Sequence, residues 1–356
     1  MPELMMAMSG GVDSSAALML LKEQYQITGA TMLLYTPKDR EGCGSFREAE
    51  DAKAVAQKLG LPHVVLDFRE EFRRRVMEPF SRDYFRGETP NPCIECNRYL
   101  KFGALLQEAE NRGIPYLATG HYVRKGYDEA TGRYYLYKAA DESKDQSYVL
   151  YHLSQHQLAH AVFPLGEYTK PQIRALAEQA GLITAKKKDS QDICFVPDGD
   201  YVGFLRRFSH ETCPPGKFVD RQGKVLGEHP GIIYYTVGQR KGLGVTFGKP
   251  MYVLGKDAAS HTVTLGENQE LFSRRVLVNR LSWMYLPGAE GPVRLFAKLR
   301  YNMKEQPCTL IPRGEDQVEL QFDAPQRAAA PGQSAVFYLG DKVAGGGVIV
   351  SALPEE

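Results

Sequence analysis

No apolar run in the chain approaches the roughly 20 residues that a membrane helix needs, which excludes a conventional helical span. Net charge is equally scarce. Lysine plus arginine number 44 against 43 aspartates and glutamates, so no whole-chain field recruits a polyanion. A nucleic-acid partner must then be held by local patches: Arg73-Arg74-Arg75, Lys186-Lys187-Lys188, Arg206-Arg207, Arg240-Lys241 or Arg274-Arg275. Any one such run is more often just a solvated face. Cysteine is sparse too, with six in 356 residues (43, 93, 96, 194, 213, 308), too few for a disulfide framework and better suited to thiol chemistry or metal binding. The opening MPELMMAMSGG lacks the basic segment of a signal peptide, so a cytoplasmic protein is expected. Fixed-period repeats and low-complexity tracts are absent.

What is present suggests two or three domains. Over the first 180 residues short apolar runs alternate with longer amphipathic ones, the pattern of a parallel sheet with crossover helices. Strands are expected at LMMAM (4 to 8), ITGATMLLY (27 to 35), HVVLDF (63 to 68) and YLATGHY (116 to 122). Helices are expected from Ser14 to Lys22, from a capping box at Ser45-Phe46-Arg47-Glu48 to Gly60, from about Arg98 to Arg112, and from Thr169 to Ala180. Near residue 205 the character changes. Glycines and prolines recur, and period-two runs (Val293, Leu295, Ala297, Leu299; Val318, Leu320, Phe322; Ala335, Phe337, Leu339) indicate a small β-barrel. The reading is an α/β catalytic domain over 1–205, a small central domain over 206–272 and a β-barrel over 273–356.

SGGVDSS (9 to 15) lies between an expected strand and an expected helix. Gly10 and Gly11 let the backbone approach an anion, the amides from Val12 onward point out of a helix N-terminus, and Ser9, Ser14 and Ser15 add hydroxyls. The lysine of GxxxxGK[ST] is missing, so this is not the P-loop of phosphoryl-transfer enzymes. Asp13 makes little sense against bare phosphate but would help hold Mg²⁺ bridging phosphates. Simple helix capping by serine and glycine is the bland alternative.

Cys93 and Cys96, in TPNPCIECN, have ligand spacing. A structural zinc site needs four ligands, and no second CxxC follows to complete one. A three-thiolate iron–sulfur site with Cys194 and a local redox disulfide both stay open. Cys213 and Cys308 read as buried small hydrophobes, and Cys43 as a loop cysteine ahead of a helix.

SGGVDSS resembles the pyrophosphate loop of the N-type ATP pyrophosphatases, which have an adenine nucleotide hydrolase-like fold. Together with TPNPCIECN and KFG, then ATGHY, KDQSY, DSQDICF, TVGQRKGLG and APGQSAVFYLGDKVAGGGVIV, it is similar to the tRNA-specific 2-thiouridylases, the MnmA/TrmU family, along nearly the whole chain. The resemblance implies ATP- and Mg²⁺-dependent 2-thiolation of the wobble uridine, position 34, in tRNA(Lys), tRNA(Glu) and tRNA(Gln). A cysteine desulfurase or a sulfur-relay protein would supply sulfur. It implies a persulfide on Cys194 and a disulfide partner in Cys96. The family usually has aspartate where this chain has Cys93, which keeps a [4Fe-4S] cluster on Cys93, Cys96 and Cys194 in play. ATP contacts are implied at Met32 and Gly120 besides the loop. Contacts to the base or tRNA are implied at His121, Lys144, Asp145, Gln146, Ser147, Tyr148, Arg240, Lys241, Arg300 and Tyr301, while Asp189 and Ser190 would shape the Cys194 loop. Two other classes compete. An amidotransferring synthetase with the same loop would need neither Cys96 nor Cys194, and a non-catalytic tRNA-binding sulfur carrier would release no pyrophosphate.

Overall fold

The computed structural model describes residues 1–36, 45–185, 187, 193–245 and 248–353, without the side chains of 45–47. Cys43, Asp189, Ser190, Lys186 and Lys188 lie outside the described residues. The chain divides into two compact units, one of residues 1–77, 92–197 and 341–343, the other of 78–91, 198–340 and 344–356. Among the described residues no helix is long and apolar enough to cross a membrane.

In the first unit β1 (Glu3–Ala7), β2 (Gln26–Leu33), β3 (His63–Asp67) and β4 (Tyr116–Ala118) are followed by a hairpin of β5 (Arg124–Asp128) and β6 (Arg133–Tyr137), then by a short β7 (Ala161–Val162). The order β3-β2-β1-β4-β7 is parallel throughout. Leu4, Met5 and Met6 are fully buried, as expected for a central strand covered on both faces. Helix α1 (Val12–Leu21) packs Ala16, Ala17 and Leu18 into that core, and α2 (Ser45–Lys58) adds Ala52, Val55 and Ala56. The order reverses between β1 and β4, and ligands of such sheets bind at the carboxyl ends of strands beside that reversal. The expected strands and the helices α1, α2 and Lys170–Gln179 appear within a few residues of their predicted spans.

One helix departs from expectation. It begins at Pro92, not Arg98, running as α-helix over Pro92–Glu95, as π-helix over Cys96–Leu105 and as α-helix again over Leu106–Asn111. Proline suits a first helical position, where its missing N–H is no loss. Cys93 and Cys96 therefore sit on one helix face, three residues apart. The side-chain amide of Gln157 donates to the carbonyls of Phe102 (2.7 Å) and Arg98 (3.4 Å), giving partners to backbone oxygens in the widened turns.

In the second unit β8 (Gly216–Val219), β9 (Val225–His229), β10 (Tyr252–Asp257) and β11 (Thr262–Gly266) form a sheet of order β10-β11-β8-β9. Then β12 (Phe272–Trp283), β13 (Val293–Lys298), β14 (Gln306–Pro312), β15 (Gln317–Arg327), β16 (Ser334–Leu339) and β17 (Lys342–Leu353) follow in order β12-β15-β14-β13-β16-β17. Pairing of β12 with β17 closes the barrel and removes its edges. The period-two residues fill it: Leu295, Ala297, Leu299, Val318, Leu320, Phe322, Ala335 and Phe337 are all buried in one core.

Candidate active site

The nucleotide loop leaves β1 at its carboxyl end. Gly10 adopts φ +66°, and a Cβ there would lie 2.4 Å from the Glu48 carbonyl oxygen, so both torsion and packing demand glycine. Gly11 is the N-cap of α1, and no side chain caps that terminus. The hydroxyls of Ser14 and Ser15 turn back to the Gly11 carbonyl (3.2 and 2.8 Å), while the Ser9 amide donates to Ser14 Oγ (3.3 Å). Gly120 follows β4 across the sheet reversal. A Cβ on it would lie 2.9 Å from the Ser14 nitrogen, so this glycine lets the second loop close against the first turn of α1. Met32, half-buried, stands near the carboxyl end of β2 opposite Leu66.

Asp13 is the centre of an ion pair that the sequence did not announce. Lys170 Nζ donates to Oδ1 at 2.7 Å and to Oδ2 at 2.8 Å, and the Tyr122 hydroxyl donates to Oδ1 at 2.8 Å. Lys170 is buried. A divalent ion at this carboxylate would have to displace the ammonium, so the donor set does not fit the expected Mg²⁺ role of Asp13. Lys170 is also the first residue of its helix, where the macrodipole disfavours a cation. That mismatch was the available signal. Lys187 is engaged likewise, donating to the Gly10 carbonyl (3.0 Å) and to Asp51 (2.8 Å), so within the triple-lysine run it braces the loop instead of facing outward.

Cys93, Cys96 and Cys194 lie near enough to act on one another electrostatically. Cys93 and Cys194 reach solvent although protein surrounds them closely, as in the wall of a cleft, and Cys96 is buried. Burial pushes the Cys96 thiol up to about 11, with Lys101 opposing and Cys93 adding to the rise. Burial also raises Cys194, further lifted by Cys96 and Cys93 and held back by Lys101. Burial raises Cys93 against the same lysine. The Cys194 turn is anchored by the Tyr35 hydroxyl, which donates to the Cys194 carbonyl, and by Phe195 edge-on to Phe72 at 5.6 Å between ring centroids. Burial and the neighbouring Cys194 push the Tyr35 phenol up to about 12. Glu48, whose carbonyl abuts Gly10, also acts on Cys194 electrostatically, which connects the thiols to the nucleotide loop.

His121 is buried, bonded through Nδ1 to Thr119 Oγ1 at 2.8 Å, and held neutral first by burial and then by Lys101. Gln146 pairs reciprocally with Tyr122, its Oε1 accepting from the Tyr122 amide and its own amide donating to the Tyr122 carbonyl, both at 2.9 Å. Asp145 accepts from the Ala139 amide (3.1 Å), the Ser147 amide (3.3 Å) and the Ser147 hydroxyl (2.7 Å). Asp145, Ser147 and Tyr148 are buried, and their side chains build the segment that presents Gln146 and the half-buried Lys144. In the second unit Arg240 and Lys241 are exposed. Arg300, expected to face tRNA, directs Nη2 to the carbonyls of Val237 (3.0 Å) and Ala328 (2.8 Å), whereas Tyr301 is exposed with Lys298 Nζ 5.6 Å from its ring centroid. The Arg274-Arg275 run is committed as well, Arg274 to the Asp323 carbonyl and Arg275 to Glu319.

Comparison with known proteins agrees in every part of the chain. A tRNA methyl transferase HUP-domain model matches residues 2–198, a tRNA methyl transferase PRC-barrel model 203–267, and an aminomethyltransferase beta-barrel model 273–349. The tRNA-specific 2-thiouridylase MnmA of Acetivibrio thermocellus is 47% identical over 354 residues, covering 98% of this chain and 99% of that relative. The protein of the same name from Clostridioides difficile is 45% identical over 356 residues, covering 99% of each. Among solved structures, the U34-tRNA thiolase NcsA from Methanococcus maripaludis with its [4Fe-4S] cluster is 15% identical, covers 58% of this chain and 66% of that one, and superposes at TM-score 0.36, too distant to bear on chemistry. With relatives this similar over their full length, the chain belongs to the tRNA-specific 2-thiouridylase family.

Proposed function

We infer that the chain catalyses ATP-dependent 2-thiolation of the wobble uridine, position 34, with tRNA(Lys), tRNA(Glu) and tRNA(Gln) as substrates. The observation that carries this reading is the meeting of Cys194 with Cys96, distant in sequence, beside a glycine-serine loop at the sheet reversal. The uracil 2-oxygen is a poor leaving group. Its attack on the α-phosphorus of ATP releases pyrophosphate and leaves an O-adenylate, with the α1 amides and the Ser9 hydroxyl stabilising the departing charge. The terminal sulfur of a Cys194 persulfide then attacks C2, and AMP leaves with the C–O bonding pair. Attack of the Cys96 thiolate on the Cys194 sulfur breaks the S–S bond, frees the 2-thiouridine and forms a Cys96–Cys194 disulfide for an external thiol to reduce. Lys101 favours the thiolates this requires.

Asp13, occupied by Lys170, is not assigned a Mg²⁺; any Mg²⁺ used would be brought by the nucleotide phosphates. Lys170, held by Asp13 and Tyr122 next to the loop, supplies a fixed positive charge for the phosphates. His121, neutral, and Gln146 contact the flipped base, with Lys144 at its rim. Residues 1–205 carry the chemistry, 206–272 grip tRNA through Arg240 and Lys241, and 273–356 add contacts through Tyr301. A cysteine desulfurase or sulfur relay loads Cys194.

The grouping of Cys93 with the other two thiols favours one second reading, the same reaction with a [4Fe-4S] cluster on Cys93, Cys96 and Cys194. Such a cluster would supply an open iron to hold sulfur. Anaerobic purification, with iron and sulfide assayed beside single-turnover thiolation, separates the two. Persulfide chemistry requires activity independent of iron content, and a Cys194→Ser chain that still releases pyrophosphate but makes no thiouridine. Absence of pyrophosphate release from the parent chain would leave only a carrier.

A further inference from the structure

His156 and His160 lie one turn apart on the helix Gln155–His160, with ring centroids 4.7 Å apart. Glu110, from the last turn of Leu106–Asn111, places Oε1 2.8 Å from His156 Nε2. Among the described residues, this trio is the group whose ligand atoms all lie within 4.8 Å of one another. A second observation prepares it for a cation. His160 Nδ1 is 2.6 Å from the Pro115 carbonyl oxygen, and since a carbonyl can only accept, that nitrogen carries the proton. The Nε2 lone pair of His160 is thereby left for a ligand, the arrangement that orients metal-bound histidines.

We propose that Glu110, His156 and His160 bind a divalent cation of the zinc class, with exposed His156 leaving the remaining coordination to water. Donors on a tetrahedral zinc stand about 3.4 Å apart, so the trio needs only rotamer adjustment. No thiol takes part, which makes the site chemically separate from the cysteine cluster. It is also at the opposite, amino-terminal end of the strands. Pro115 and His160 immediately precede β4 and β7, whereas the nucleotide loop follows the carboxyl end of β1. Binding fixes the end of the thiol-bearing helix to the helix whose Gln157 already holds its π-turn carbonyls, and so braces that helix from its far end.

Cobalt(II) titration of the purified full-length chain tests this, because histidine and carboxylate ligation gives weak visible d–d bands without intense thiolate charge transfer. The expected result is such bands at a single equivalent, kept in the Cys93→Ser/Cys96→Ser/Cys194→Ser chain and weakened about tenfold or more in apparent affinity by either His156→Gln or Glu110→Gln. Bands that survive both single changes, cobalt seen only through thiolate charge transfer, or no binding would each overturn the proposal.

Discussion

Each unit contains a charge pair with one buried partner, Lys170 in the first and Glu319 in the second, and the two do different work. In the barrel, Glu319 is held between Arg275 (2.7 Å) and Arg313 (2.8 Å), joining three positions of the second unit. In the α/β unit, Asp13 is held by Lys170 and Tyr122 on the first turn of a helix whose N-terminus no side chain caps, behind two glycines that keep the approach clear. The chemistry of the pairs is alike. What separates them is that the Asp13 pair lies at the carboxyl ends of parallel strands beside the sheet reversal, where ligands of such sheets bind, whereas Glu319 and Arg275 lie on barrel strands. Burial of an ion pair is therefore no mark of function until its neighbours are named.

Several measurements would break or sharpen this contrast. The largest effect belongs to the thiols: Cys194→Ser or Cys96→Ser abolishes thiouridine formation in a single-turnover assay, while ATP-dependent pyrophosphate release persists. Next, Lys170→Met lowers the adenylation rate by about 10²–10³-fold, the cost of one preorganised electrostatic contact, measured by pyrophosphate release at saturating tRNA. If Glu319→Gln produced an equal loss of rate, the two pairs would not differ as argued. Glu319→Gln instead costs about 1–3 kcal/mol of stability, read by denaturant unfolding, with activity per folded molecule unchanged.

That last pair has a pH signature. Hydrogen bonds from Arg275 hold the Glu319 carboxyl down to about 2 from its ordinary 4.5, so its stabilisation is complete above 4.5 and is lost as pH falls toward 2. The stability difference between parent and Glu319→Gln should close over that window. The thiols give the smallest and most specific readout. Alkylation of Cys96, followed by mass spectrometry, should keep rising with pH to a midpoint near 11, and Lys101→Met should move that midpoint higher. A midpoint at the ordinary thiol value would remove the buried cluster from the account.

The barrel and the parallel sheet were legible because alternation and amphipathic runs record which face meets a core. Val318, Leu320 and Phe322 could be assigned inward from spacing alone. The nucleotide loop was legible because glycine beside serine after an apolar strand has few other uses. The start of the thiol helix was missed, being expected near Arg98, although Pro92 is an acceptable first helical residue. Lys170 was hidden for another reason: its partner Asp13 is far away in sequence, and likewise only the fold brings Lys101, five residues after Cys96, to act on Cys194. Arg300 illustrates the converse: the resemblance implied a contact to the base or tRNA, and in the fold Nη2 is taken up by backbone carbonyls of its own unit.

The π-helical turns over Cys96–Leu105 have a practical corollary. A π stretch behaves as an α-helix with a residue inserted, so excising one position within it would restore ordinary winding and swing the thiol about 100° against the rest of the helix. Such a shortened chain would keep every cysteine and still misdirect Cys96.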